Sequence, residues 1–238
     1  MQIIIKVYSL INYFLEIFWF KLDYIWSHRY QWIKDLHIST LIDVWANKWQ
    51  TIDKYKNIRN NTLNIHSFEP MSAAFSILKK KFQDDFKITL YNIWLWTKKE
   101  KKIMHIYDHD DSSSLLDIWK EGKSIYHYSI SYDQSIYIDT LDSIFSEKDL
   151  QWWIMMKIDV QWYELNVLKW WEKFIKRVKI VVIELSFVEL YKSQKLFDEA
   201  YDRLYRRWFI YSWSLEQAGN PDNWQPLQQD AIFINKNI

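Results

Sequence analysis

TLIDVWANKWQ, residues 40–50, is the stretch that decides how this chain folds. Its first five residues form a short apolar run broken only by Asp43, the pattern of a strand buried on both faces. A polar loop follows and leads into a helical pattern near residues 50–59. A strand that passes through a tight loop into a helix opens a βα unit. In sheets built from such units, ligands gather at the carboxyl ends of the strands, where strand order reverses. Asp43 and Asn47 set polar groups beside this loop. Positions 45 and 49 are where the backbone needs room. One takes the sharp turn out of the strand, and the other brings a helix N-terminus and its N–H groups close to a ligand. Both carry tryptophan.

Outward from this unit the alternation continues. NIHSF (64–68) reads as a second strand, followed by a helix over 71–82 with Ala74, Phe75, Leu78 and Phe82 on one face. KITLYNI (87–93) is a third strand. Residues 101–140 interrupt the rhythm with KIMHIYD, a DDSSSLLDIW segment and SIYIDTL, which predicts a β-insertion. IMMKIDV (154–160) and KIVVIEL (179–185) are two further strands of the main set, followed by helices over 163–175 and 194–207. WFIYSWSL (208–215) and DAIFIN (230–235) end the chain with no helix between them, so they pair antiparallel. Alternating βα units predict an α/β fold with a mostly parallel sheet and helices on both faces. The expected organisation is an N-terminal helical segment over 1–38 packed on a domain spanning 39–238.

Glycine is the anomaly of composition. Ordinary usage predicts about 17 glycines in a chain of this length; there are 2, and there are 16 tryptophans. Together the two types come near the ordinary glycine complement, and the tryptophans fall where turns and close backbone approaches are expected. Tryptophan is strained at positive φ, where glycine is not. The expectation is a UGA codon that encodes glycine in the source and is translated here as tryptophan. Ordinary UGG codons behind Trp45, Trp49 and Trp162 would overturn it.

The remaining bulk numbers exclude several classes. With 238 residues, 49% of them hydrophobic, and a formal net charge of +1, the chain has neither the composition of a disordered tail nor that of a nucleic-acid binder. The basic runs KKK (79–81) and KKEKK (98–102) have acidic neighbours and read as solvated faces. The absence of cysteine removes disulfides, thiolate metal sites and cysteine nucleophiles. A cytoplasmic setting is the simplest expectation. Residues 1–26 are strongly apolar, but Lys6, Asn12, Glu16 and Lys21 interrupt them, so no run reaches the length of an uncharged membrane span. They read as an amphipathic helix on the domain; peripheral membrane association stays open.

Glu69 lies 24 residues after position 45, at the end of the second strand in SFEP. A carboxylate there can accept both ribose hydroxyls of a nucleoside, and Pro70 stops the strand and starts the next helix. These residues carry a family resemblance. IDVWANKWQ, SFEP with AAFSIL, YNIWLW, SSSLL, TLDSI, KIDVQWYELNVLKW, IELSFVELY and LQQDAIF occur in the order found in FkbM-family methyltransferases, over about residues 22–235. Read with glycine for tryptophan, KIDVQGYELNVLKG resembles the family's signature after the fourth strand. The resemblance implies a class I methyltransferase (Rossmann-like) fold with a seven-stranded sheet and an antiparallel C-terminal strand. It also implies S-adenosylmethionine as methyl donor and O-methylation of a hydroxyl on a small-molecule or glycan acceptor. By that resemblance Asp43, Ala46 and Asn47 match the family's cofactor loop and Glu69 its ribose-binding acid; Trp45, Trp49 and Pro70 are expected at the same cofactor site. Asp159 and Glu164 match the acids of the post-strand signature. Tryptophans 45, 49, 96, 162 and 170 depart from the pattern.

Methyl transfer to an alcohol needs an aligned acceptor oxygen and somewhere for its proton to go. Asp159, at the carboxyl end of the fourth main strand, is the first candidate base, and a capping or structural role is its ordinary alternative. Glu184, ending the fifth, is the second; it would bind acceptor hydroxyls or tie down a loop. His66 reads as a satisfied histidine. His105 and His109 with Asp108, Asp110 and Asp111 lack the convergence a metal site needs, so no metal is expected. Ser112 to Ser114 shape the acceptor side rather than act as nucleophiles. Two other readings stay open: a nicotinamide-dinucleotide oxidoreductase, which also uses a strand, a glycine loop and an acid, and a non-catalytic protein with the same fold.

Overall fold

A computed structural model describes residue 33 and residues 36–47, 49–58, 62–96, 98–107, 130–146, 150, 153–160, 164–170, 174–190 and 194–238. The apolar segment 1–26, Ser112 to Ser114, His109, Asp108, Asp110, Asp111 and Trp162 lie outside them. The chain divides into two compact units, Met1–His37 and Ile38–Ile238, and both sheets belong to the second.

The main sheet has seven strands. They are β1 (Thr40–Val44), β2 (Asn64–Phe68), β3 (Ile88–Tyr91), β7 (Ile154–Ile158), β8 (Val178–Ser186), β9 (Phe209–Gly219) and β10 (Pro226–Asn235). Their order is β3-β2-β1-β7-β8-β10-β9. All neighbours from β3 to β8 pair in parallel, while β10 runs antiparallel to both β8 and β9. This is the expected α/β sheet with its antiparallel C-terminal strand. β1 and β7 are buried along their whole length, which explains their nearly unbroken apolar runs. The helices that cover the sheet bury one stripe each. In α1 (Gln50–Ile58) it is Ile52 and Tyr55; in α2 (Ser72–Phe82) it is Ala74, Leu78 and Phe82; in α5 (Phe197–Tyr205) it is Ala200 and Leu204. Residues 163–175, expected as one helix, hold α4 (Glu164–Trp170) and then a 3₁₀ turn over Phe174–Arg177.

The segment read as a β-insertion contributes a separate three-stranded sheet. It is built from β4 (Trp94–Leu95), β5 (Glu100–Tyr107) and β6 (Ile130–Asp139), in the order β4-β6-β5. A short helix, α3 (Leu141–Ile144), comes next, capped by the Thr140 hydroxyl, which accepts from the Ser143 N–H.

Five non-glycine residues among those described have positive φ, and four of them are tryptophan: Trp45 at 81°, Trp153 at 72°, Trp208 at 68° and Trp224 at 60°. Each stands at a junction: after β1, before β7, between α5 and β9, and in the turn from β9 to β10. The left-handed region crowds Cβ against the carbonyl and costs an L-residue roughly 1–2 kcal/mol, a penalty glycine escapes. The fifth residue, Asn47 at 50°, belongs to a type that tolerates it. Chain geometry therefore asks for glycine where the sequence has an indole.

Candidate functional site

Strand order reverses between β1 and β7, so their carboxyl ends flank the crevice where this kind of sheet binds ligands. The crevice is bounded by tight backbone bonding. The N–H groups of Trp45 and Ala46 donate to the Phe68 carbonyl at 3.0 and 2.9 Å, and the Asp159 N–H donates to the Val44 carbonyl at 3.3 Å. These bonds fold the loop after β1 back onto the end of β2. They bring the residues around Asn47 to Glu69.

Glu69 has no exposed surface. Its Oε2 accepts the Asn47 N–H at 2.8 Å and its Oε1 accepts the Met71 N–H at 2.7 Å. The acid expected to grip a ribose thus also staples the two loops that border the crevice, a role invisible in the sequence. Pro70 sits beyond it, with α2 starting two residues later at Ser72; its carbonyl accepts from Asn92 Nδ2 at 3.2 Å. The Trp45 indole is buried and meets Trp94 edge-on, ring centroids 4.9 Å apart. Trp49 lies further along, at the start of α1, with Lys81 Nζ 4.9 Å from its ring centre. His66 is a satisfied histidine: its Nδ1 is 3.1 Å from the Tyr91 hydroxyl, and burial pushes its pKa down. His105 pairs with Asp133 on the second sheet.

Asp43 is fully buried at the crevice floor. Ser67 Oγ donates to its Oδ2 at 2.8 Å, while its Oδ1 has no partner. Burial raises its pKa to about 6, against the pull of Lys157 and Ser67. Lys157 is the neighbour of Asp43 in the β1–β7 register, and its ammonium reaches Asp159 Oδ2 at 2.7 Å. Burial pulls the pKa of that ammonium down; Asp159, Asp230 and Asp43 outweigh it and hold the pKa well above the usual lysine value. Asp159 therefore stands at the end of β7 with its carboxylate anchored by a buried cation. Next to it, the buried Glu164 accepts the Val160 N–H on its Oε1 at 3.1 Å.

Glu184 lies beside this pair on β8, half-buried, and its Oε1 accepts from Gln228 Nε2 at 2.8 Å. Asp43, Asn47 and Glu69 thus converge on one side of the β1–β7 junction, and Asp159 and Glu184 on the other. Lys157 and Asp230 complete the charged row, with the neutral Gln228 amide donating beside them; periodicity and spacing did not single these three out. The available signal was a lysine inside the otherwise apolar IMMKI and an aspartate opening DAIFIN.

The donor set tests which nucleoside ligand fits. In this loop the N–H groups of residues 45, 46 and 47 are all engaged, whereas Asp43 Oδ1 and Asn47 Oδ1 are buried acceptors without partners. A pyrophosphate needs N–H donors; these groups instead suit a ligand bearing an ammonium and ribose hydroxyls, as S-adenosylmethionine does. The residues fit that group, with the Trp45 side chain narrowing the close approach to main chain that glycine would leave open.

Residues 43–211 match the family described as the methyltransferase FkbM domain. Among solved structures the chain is similar to a methyltransferase FkbM from Methylobacillus flagellatus KT, at 14% identity and a TM-score of 0.52, covering 82% of this chain and 43% of that one. The chain therefore spans less than half the length of that protein. It also matches TrmK of M. capricolum, solved with the cofactor product S-adenosyl-homocysteine, at 7% identity and a TM-score of 0.40, over 84% of this chain and 63% of that one. No curated protein matches. The fold is that of the class I methyltransferases.

Proposed function

The chain belongs to the FkbM methyltransferase family, and from that premise we propose that it moves a methyl group from S-adenosylmethionine to a hydroxyl oxygen of a sugar or other small metabolite. The observation that carries the choice of donor is the pair of buried acceptors without partners, Asp43 Oδ1 and Asn47 Oδ1, beside the engaged N–H groups of residues 45, 46 and 47. Asp43 and Asn47 would accept from the ammonium, and the Glu69 carboxylate from the ribose hydroxyls.

When bound, S-adenosylmethionine supplies a methyl carbon activated by its sulfonium, whose sulfur keeps the electron pair as the acceptor oxygen takes the methyl. The chain's own work is alignment and proton transfer. Asp159 takes the proton of the acceptor hydroxyl. Lys157 holds the carboxylate's Oδ2 at 2.7 Å, which fixes its orientation. The Val44 carbonyl and Glu164 fix the backbone on either side of it.

The test is a calorimetric titration with S-adenosylhomocysteine and, separately, NADH. Trp45→Gly is expected to bind S-adenosylhomocysteine about tenfold or more tightly than the chain carrying Trp45, a difference of about 1.4 kcal/mol. Glu69→Ala in the glycine background should lose it. NADH binding without S-adenosylhomocysteine binding would replace this reading with the oxidoreductase one.

A further inference from the structure

Five ionisable groups share one face of the main sheet near its centre. In the strand registers Asp43 is opposite Lys157, and Asp230 is opposite Glu184. Ile158 is opposite Ile183, so Asp159 and Glu184 stand side by side one residue further on. Four acids thus surround one ammonium. The nearby Lys54 is already paired with Glu216. One ammonium does not balance four carboxylates. Asp43 is fully buried and Glu184 Oε2 is a buried atom, and a buried carboxyl without a cation of its own keeps its proton.

Glu184 is the member best placed to do so. Its Oε1 already accepts from Gln228, which leaves Oε2 to carry the proton, and Oε2 is a buried atom with no partner in the protein. A hydroxyl donor without an acceptor is a hydrogen bond awaiting a ligand. Neighbouring strands stand about 4.8 Å apart, so groups on Asp159 and Glu184 can reach two oxygens on adjacent carbons of one molecule.

We propose that Glu184 acts as a neutral carboxylic acid whose Oε2–H donates to a second oxygen of the acceptor, vicinal to the hydroxyl at Asp159, so that the acceptor class is a vicinal diol. Only the part about the hydroxyl at Asp159 rests on the methyl-transfer reading. Burial, with Asp159 and Asp230 adding to it, holds the Glu184 pKa well above the carboxylate range, and Lys157 offsets this only in part. Asp230 is raised in the same way, chiefly by burial. The charged groups that act on Glu184 are Lys157 on β7, Asp159 just past its end, Asp230 on β10 and Glu164 on α4.

The test is infrared difference spectroscopy of the full chain at neutral pH, with cis-1,2-cyclohexanediol and cyclohexanol as probes and with S-adenosylhomocysteine both absent and present. A carbonyl band of a protonated carboxylic acid should be present, with a component that is lost in Glu184→Gln and kept in Asp230→Asn. The diol should shift it and the mono-alcohol should not. If Glu184→Gln does not fold, Gln228→Leu, which removes the partner of Oε1, should displace the same band. No band sensitive to either substitution, or a band that neither probe or both probes move alike, overturns the proposal. Failure of S-adenosylhomocysteine to bind in calorimetry, with the band intact and diol-sensitive, would sink the methyl-donor reading and leave the protonated acid standing.

Discussion

Trp208 and Trp213 are nearly equal in exposure, at 64% and 63%, yet only Trp208 has positive φ, at 68°. Trp208 follows α5, where its N–H donates to the Tyr205 carbonyl at 3.0 Å and its own carbonyl accepts from Lys236. That is a helix-ending left-handed position, which glycine usually fills. Trp213 lies inside β9, opposite Ile232. Replacing each by alanine and by glycine removes the same indole within a site, so the alanine–glycine difference isolates the Cβ atom. At 208 that Cβ costs roughly 1–2 kcal/mol in the left-handed region. The extra freedom glycine gives the unfolded chain takes back about 0.4–1 kcal/mol. Trp208→Gly should therefore be more stable than Trp208→Ala by about 1 kcal/mol, or about 2–4 °C in Tm for a chain of this size. At 213 the order should reverse, with glycine less stable by about 0.5–1 kcal/mol. Thermal unfolding followed by circular dichroism reads all four variants. If alanine matches or beats glycine at 208, the left-handed geometry, and with it the argument that glycine belongs there, is wrong.

The coding DNA is expected to carry TGA at positions 45, 153, 208 and 224, and mass spectrometry of the protein from its own cells to find glycine; TGG at these codons refutes this. Asp43 binds its proton more tightly when folded, with a pKa of about 6 against 3.8 unfolded. Its contribution is complete below about pH 4 and is lost as pH rises through 6, by about 3 kcal/mol for this one group. Asp43→Asn should flatten the Tm–pH curve between these values and raise Tm at pH 8; an unchanged slope would show that Asp43 is not the titrating group.

The sheet and its helices were legible because their signals are local. Unbroken apolar runs such as TLI in β1 and VVI in β8 mark strands buried on both faces, and spacings such as Ala74, Leu78 and Phe82 mark a helix stripe. The long expected helix over 163–175 was not separable from a helix followed by a 3₁₀ turn, since both place apolar residues at similar intervals.

By itself the sequence determined the order and type of the elements, the loop after β1, Glu69 at the end of β2, and a glycine shortage at junctions. Only the tertiary structure decided which charges meet. Asp43 and Lys157 lie on strands far apart in sequence and become neighbours through the β1–β7 register. Asp230 meets Glu184 because β10 inserts between β8 and β9. It also turned Glu69 into a staple between two loops. Periodicity along a chain records which face each residue takes. It does not record which strand lies alongside, and the partner strand sets a buried group's hydrogen bonds and charge.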